Sequence, residues 1–225
     1  MGVNMNPSYS FDPPGVGLVG YVVNRHRDYD PPPLQGAMFD YVVAADGVFV
    51  HAQRDGLGVC FRIAPAEVRG LAKCSELFAF ALPKVPEELM SELCYRAEEW
   101  ANGRLETLFH LVWTPVYLWN EGWELIEPEQ ARASTSCRPD EPCLSAERAI
   151  IEIHSHHTMP ARFSGTDDAD ETGFRLYGVI GDLRRSPSIR MRVGVYGYFY
   201  EIPASWALEL PAGLMDCNEE EEEVR

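Results

Sequence analysis

The stretch "IEIHSHHTMPARFSGTDDADE", residues 151–171, sets three of the chain's six histidines within four positions and ends in a run of acids. An apolar, β-branched lead-in marks a strand, and along a strand residues two apart share a face. His154 and His156 therefore project side by side. Paired neutral imidazoles are the usual start of a zinc site, which needs a third ligand, commonly a carboxylate. Ser164 and Asp167 supply one. Ser-x-x-Asp can form a capping box, with Ser164 at the helix N-cap and Asp167 three residues in. That would hold the aspartate in place and leave its carboxylate free to reach the imidazoles. Zn²⁺ in such a set brings the pKa of a bound water to about 7. A glutamate within hydrogen-bond reach can then carry the proton to a leaving amine, and together these hydrolyse amides. No Gly-x-Ser-x-Gly elbow offers a competing nucleophile. His157 faces the other way if the strand continues, so it is not expected to ligate. Asp168, Asp170 and Glu171 read as a solvated first helical turn, favoured by the helix dipole.

Those side chains need a scaffold. Residues 1–35 are rich in Pro and Gly: "PSYSFDPPGVGLVGYVV" gives one strand and "DYDPPPLQG" a linker or long loop. "MFDYVVAADGVFVHAQRDGLGVCFRIA" reads as two or three strands, with turns at Asp46-Gly47 and in "RDGLG". Pro83 and Pro86 then punctuate a boundary. "PEELMSELCYRAEEWANGR" has a helix's proline start, first-turn acids and apolar Leu89, Leu93, Ala97 and Trp100, and it stops at Asn102-Gly103. Two strands follow, broken near Asn120–Gly122. A polar loop of about twenty residues leads to the histidine strand. "GFRLYGVIGDL" and "SIRMRVGVYGYFYEIP" supply the last strands, with a turn at Ser186-Pro187. Cys137 and Cys143 within the loop lack the spacing of a structural zinc site and are assigned to a flexible segment. The expected domains are a β-rich unit over 1–82, a catalytic domain over 83–212 and an acidic disordered tail over 213–225.

The spacing His154-x-His156-x7-Ser164-x-x-Asp167 resembles, without a gap, the signature of the JAMM (MPN+ or JAB) zinc metalloproteases. The wider "FSGTDDADETGFRLYGVIG" and the β-rich leader are similar to the JAB-domain component of bacterial PRTRC cassettes. The resemblance implies an α/β fold: a cytidine-deaminase-like mixed sheet flanked by helices, here behind a small β-rich N-terminal domain. It implies zinc on His154, His156 and Asp167, with Ser164 helping to stabilise the oxyanion. The family's general-base glutamate stands early on the strand after the first helix, where this chain has Glu106. Two departures bear on that assignment: "TLFHLVW" lacks the small, Gly-containing run of many members, and His-Thr follows His156 where a proline is usual. Glu152, on the His154 face by period two, is the alternative base. The implied substrate is the C-terminal tail of a ubiquitin-like protein, with an E1-like ThiF-related enzyme of the same cassette as a further partner. The rival readings are a zinc amidase for small molecules or short peptides, a catalytically silent scaffold of the same fold, and a DNA-repair-associated relative.

Composition narrows the rest. With 46% hydrophobic residues the chain can build an ordinary core, and its net charge of −16 includes a terminal "EEEEEVR". Such acidity disfavours nucleic acid, and the absence of basic clusters weighs against the repair-associated reading. No apolar run reaches membrane-spanning length, and Asn6 stands where a myristoylation signal wants Ser or Thr. With no secretory signal in view, the six cysteines are expected to be free thiols in a soluble protein of the cytoplasm.

Overall fold

Two-residue turns at Ala45-Asp46 and Asp55-Gly56 fold the N-terminal strands back on themselves. The computed structural model describes residues 17–25, 30–115 and 122–218, and the chain divides into two units, Met1–Phe78 and Ala79–Arg225. Strands β1 (Val19–Val23), β2 (Phe39–Ala44), β3 (Gly47–Arg54), β4 (Leu57–Pro65) and β5 (Leu77–Phe80) lie in sequence order in one sheet. β1 runs parallel to β2, and β2, β3 and β4 are antiparallel hairpins. Gly47 is needed at the first turn because a Cβ there would stand 2.5 Å from the Ala64 carbonyl oxygen. Val22, Val42, Ala44, Phe49, Cys60 and Cys74 form the core of this unit. The division between units falls at Phe78–Ala79, earlier than the boundary expected after residue 82. The reason is local: Val85 pairs with the segment Ala207–Glu209, which ties the Pro83–Pro86 stretch to the second unit.

The second unit starts with helix α1 (Glu87–Asn102), N-capped by Pro86. Its buried stripe is Met90, Leu93, Ala97 and Ala101, one residue round from the expected Leu89 and Trp100 at its two ends. Trp100 is partly withdrawn from the core because its indole N–H donates to Glu127 at 2.8 Å. A mixed seven-stranded sheet follows. It comprises β6 (Leu108–Thr114), β7 (Gly122–Ile126), β10 (Ile151–Ser155), β11 (Phe174–Gly181), β12 (Ser188–Val195), β13 (Tyr198–Ile202) and β14 (Met215–Asp216). The order is β13-β12-β11-β10-β6-β7, with β10 parallel to β11 and antiparallel to β6, and β14 beside β12. β10 and β11 are almost wholly buried, which suits strands with apolar residues on both faces. The helices that flank this sheet are modest. α2 (Leu144–Arg148) and α3 (Gly165–Asp170) have five and six residues.

Two expectations need correction. The polar segment after β7 is not a bare loop: it contains a hairpin of β8 (Gln130–Arg132) and β9 (Cys137–Pro139), and then α2. Its strands are three residues long and carry no hydrophobic alternation, so the pattern was silent. The tail expected to be disordered from residue 213 instead continues the fold to Asn218. β14 pairs with β12, and the buried Asn218 amide donates to the carbonyls of Met191 and Ile202. The glutamate run at 219–223 lies outside the described residues. No helix of the described residues is long and apolar enough to cross a membrane.

Candidate metal centre

β10 is the rigid half of the site. Pinned between β6 and β11, it carries His154 near its end, and the backbone N–H of His156 donates to the Ile180 carbonyl at 2.6 Å just beyond it. Both imidazoles are buried and lean together, with Nε2 atoms 3.2 Å apart. His156 Nδ1 lies 3.1 Å from the Pro160 carbonyl oxygen, an acceptor only. That contact places the proton on Nδ1 and turns the Nε2 lone pair toward His154. The Pro160 segment reaches this position because residue 181 has no side chain. A Cβ on Gly181 would sit 2.2 Å from Ala161 N and 2.5 Å from Met159 O.

α3 is the other half. Ser164 is its N-cap and forms a capping box with Asp167. The Ser164 backbone N–H donates to Asp167 Oδ2 at 2.6 Å, and the Asp167 N–H reaches Ser164 Oγ at 3.4 Å. With Oδ2 engaged, Asp167 Oδ1 points at His154 Nε2, 3.4 Å away. One donor atom from each of His154, His156 and Asp167 falls within 4.8 Å of the other two. A tetrahedral zinc ion with bonds of about 2.0–2.1 Å has ligand–ligand edges of about 3.3–3.4 Å. Two of the three edges, 3.2 and 3.4 Å, match that value and the third is within 4.8 Å, so the donor set suits the ion in chemistry and lies within its reach.

Glu106 arrives from β6. Continuing the antiparallel register in which His154 faces Leu108 sets Glu106 across from His156. Its Oε1 is 3.8 Å from His156 Nε2. The hairpin missed in the sequence fixes its backbone: Glu106 N–H donates to Ala133, and the Gln130 side chain pairs with both the N–H and the carbonyl of Leu108. Burial, and then the Asp167 carboxylate, push Glu106 up to about 7. Burial likewise holds the His154 imidazole low, in the neutral form a metal requires. Glu152 has a different environment. Burial alone would raise it, but His110 at 3.4 Å and Arg175 at 3.1 Å hold it below the usual carboxylate range. Two carboxylates with acidities driven apart are a mark of assigned acid–base roles, and Glu106 is the one poised near neutrality.

The remaining candidates fall outside the cluster. His157 turns away and binds the Ser134 carbonyl at 3.1 Å. Cys137 is half-buried in β9, while the Cys143 thiol lies 3.3 Å from the Ser145 hydroxyl. Of the acids after Asp167, Asp168 and Asp170 are exposed as expected, each with an arginine partner, Arg192 and Arg138, whereas Glu171 is buried against Arg192. Neither arginine carried a sequence signal, because each partner lies more than twenty residues away. A cleft of about 500 Å³ opens at the centre, lined by Glu106, His154 and Asp167 on one side and the β9 hairpin on another. The profile of the family described as prokaryotic homologs of the JAB domain matches residues 75–193, more than half the chain and all of this site. No curated protein matches the sequence.

Proposed function

This chain belongs to the family of prokaryotic homologs of the JAB domain, and on that premise we propose that it is a zinc-dependent peptidase or isopeptidase. Its substrate in this reading is an amide at the C-terminal tail of a ubiquitin-like protein. The observation that carries the reading is the meeting of three donor atoms within 4.8 Å of one another beside a buried glutamate held near neutrality. A silent scaffold would have no use for that set, which is complete here.

His154, His156 and Asp167 would hold the ion, and Zn²⁺ bound there would acidify a water and polarise the scissile carbonyl. Glu106 takes the proton from the attacking water on a carboxylate oxygen and gives it to the nitrogen of the leaving amine. Burial raises its proton affinity above that of an ordinary carboxylate, which suits it to both transfers. Ser164 Oγ accepts the Asp167 N–H, which leaves its own O–H free to donate to the developing oxyanion. His110 and Arg175 keep Glu152 ionised and out of the proton transfer. The PRTRC resemblance supports the ubiquitin-like substrate and an E1-like ThiF-related partner in the cytoplasm.

The test is to incubate the purified protein with a ubiquitin-like protein carrying a C-terminal extension, with and without a zinc chelator. Release of the extension that stops with chelator and returns with zinc is the expected result. Zinc binding without any cleavage, paired with hydrolysis of short acyl-amides, would move the substrate to small molecules.

A further inference from the structure

α3 has only six residues, too few to be stable alone, yet it delivers a metal ligand. Something outside it must hold it. Arg192, in the middle of β12 and only 5% exposed, reaches it. Its guanidinium lies between two aromatic rings, 3.9 Å from the centre of Phe163 and 3.7 Å from that of Phe199. Nε donates to Glu171 Oε2 at 2.8 Å and Nη1 to Asp168 Oδ1 at 2.6 Å. One side chain thus grips three points that bracket Asp167: Phe163 before the N-cap, Asp168 next to the ligand, and Glu171 at the C-cap. Phe163 in turn meets His154 edge-on, with ring centroids 6.3 Å apart.

We propose that Arg192 is a positioning residue of the metal centre, a clamp that sets the height and rotation of α3 and so aims the Asp167 carboxylate at the imidazoles. This rests on the metal-dependent reading. Planarity matters to the clamp. A guanidinium can be stacked on both faces while its edge binds two carboxylates, and a lysine ammonium cannot do both. The capping box joins Asp167 to Ser164 but fixes neither to the sheet, so it cannot replace the clamp.

The experiment measures zinc affinity by chelator competition, the visible spectrum of the cobalt-substituted protein, and the melting temperature of the metal-free protein. Full-length wild type is compared with R192K, R192M/E171Q, D168A and D167A. The double variant replaces a buried ion pair with neutral groups, a change that interiors tolerate. Asp168 is half exposed, so D168A folds even if the Arg192 variants do not. The expected result is a 10- to 100-fold loss of zinc affinity in R192K and R192M/E171Q, as for other supporting partners of metal ligands, and a smaller loss in D168A. Their cobalt spectra should shift toward that of D167A while the metal-free melting temperature of D168A stays near wild type. Wild-type affinity and spectrum in the folded Arg192 variants would overturn the clamp and leave the metal site standing. If the Arg192 variants fail to fold, wild-type values in D168A do the same. A wild-type chain that binds neither metal would overturn the metal reading itself, and this inference with it.

Discussion

The two halves of the candidate metal centre are built by opposite means. His154 and His156 stand on and just past a strand hydrogen-bonded on both sides and buried on both faces, so their geometry follows from sheet register. Asp167 stands on a six-residue surface helix that has a capping box at its N-terminus and contacts two arginines. The first arm is set once the domain folds. The second buries no residue of its own helix, so it is the easier arm to perturb. The proposed ligand set therefore combines a fixed pair and an adjustable third, and losses at each should differ in kind.

The largest expected effect is on the fixed arm. His154→Ala/His156→Ala should bring zinc content from about one ion per chain to none and amide hydrolysis to background; metal analysis showing retained stoichiometric zinc would end the site assignment. Glu106→Gln should keep the zinc and lower turnover about 10²- to 10⁴-fold, the usual share of a general base. Unchanged turnover would send the search to Glu152.

The same variant has a second readout. The folded-state acidity of Glu106, about 7 against the ordinary 4.5, means that the folded chain holds this proton more tightly than the unfolded one. That preference favours folding in full below about pH 4.5 and is lost as pH rises through 7. Metal-free Glu106→Gln should therefore gain stability relative to wild type between pH 4 and pH 8, by about 2–3 kcal/mol, read from denaturant melts at both values. A gap that does not change with pH would place the buried charge elsewhere.

Gly181→Ala should act on the seam between the arms. The added Cβ collides with backbone at Pro160 and Ala161, so the His156–Pro160 contact must give. About 1–3 kcal/mol of stability and a measurable part of the zinc affinity should go together. The smallest effect belongs to Arg138→Ala. The Arg138–Asp170 pair is largely exposed and worth about 0–1 kcal/mol, so zinc affinity should change less than in any Arg192 variant. A larger loss from Arg138 than from Arg192 would reverse the view of which arginine supports the adjustable arm.

Much of this centre was legible in the amino-acid order because its contacts are local. His154 and His156 are two apart on an alternating strand, and Ser164 and Asp167 are three apart in a capping box, so period and spacing alone place them in pairs. Glu106 was legible only through resemblance. Its approach to His156, fifty residues away in the sequence, depends on the register of β6 against β10, and its backbone is held by a hairpin too short and polar to show a strand pattern. The same limit hid Arg192, whose partners sit more than twenty residues away, and Gly181, whose importance is the absence of a side chain at one crowded point.

Sequence by itself determined the chemistry available: two imidazoles, a tethered carboxylate and an acidic surface, since residue type and short spacing carry that information directly. Tertiary structure alone decided which glutamate stands beside the imidazoles, which one an arginine keeps ionised, and what holds α3 in place. Those outcomes depend on distances across strands and on burial, and neither exists until the chain has packed.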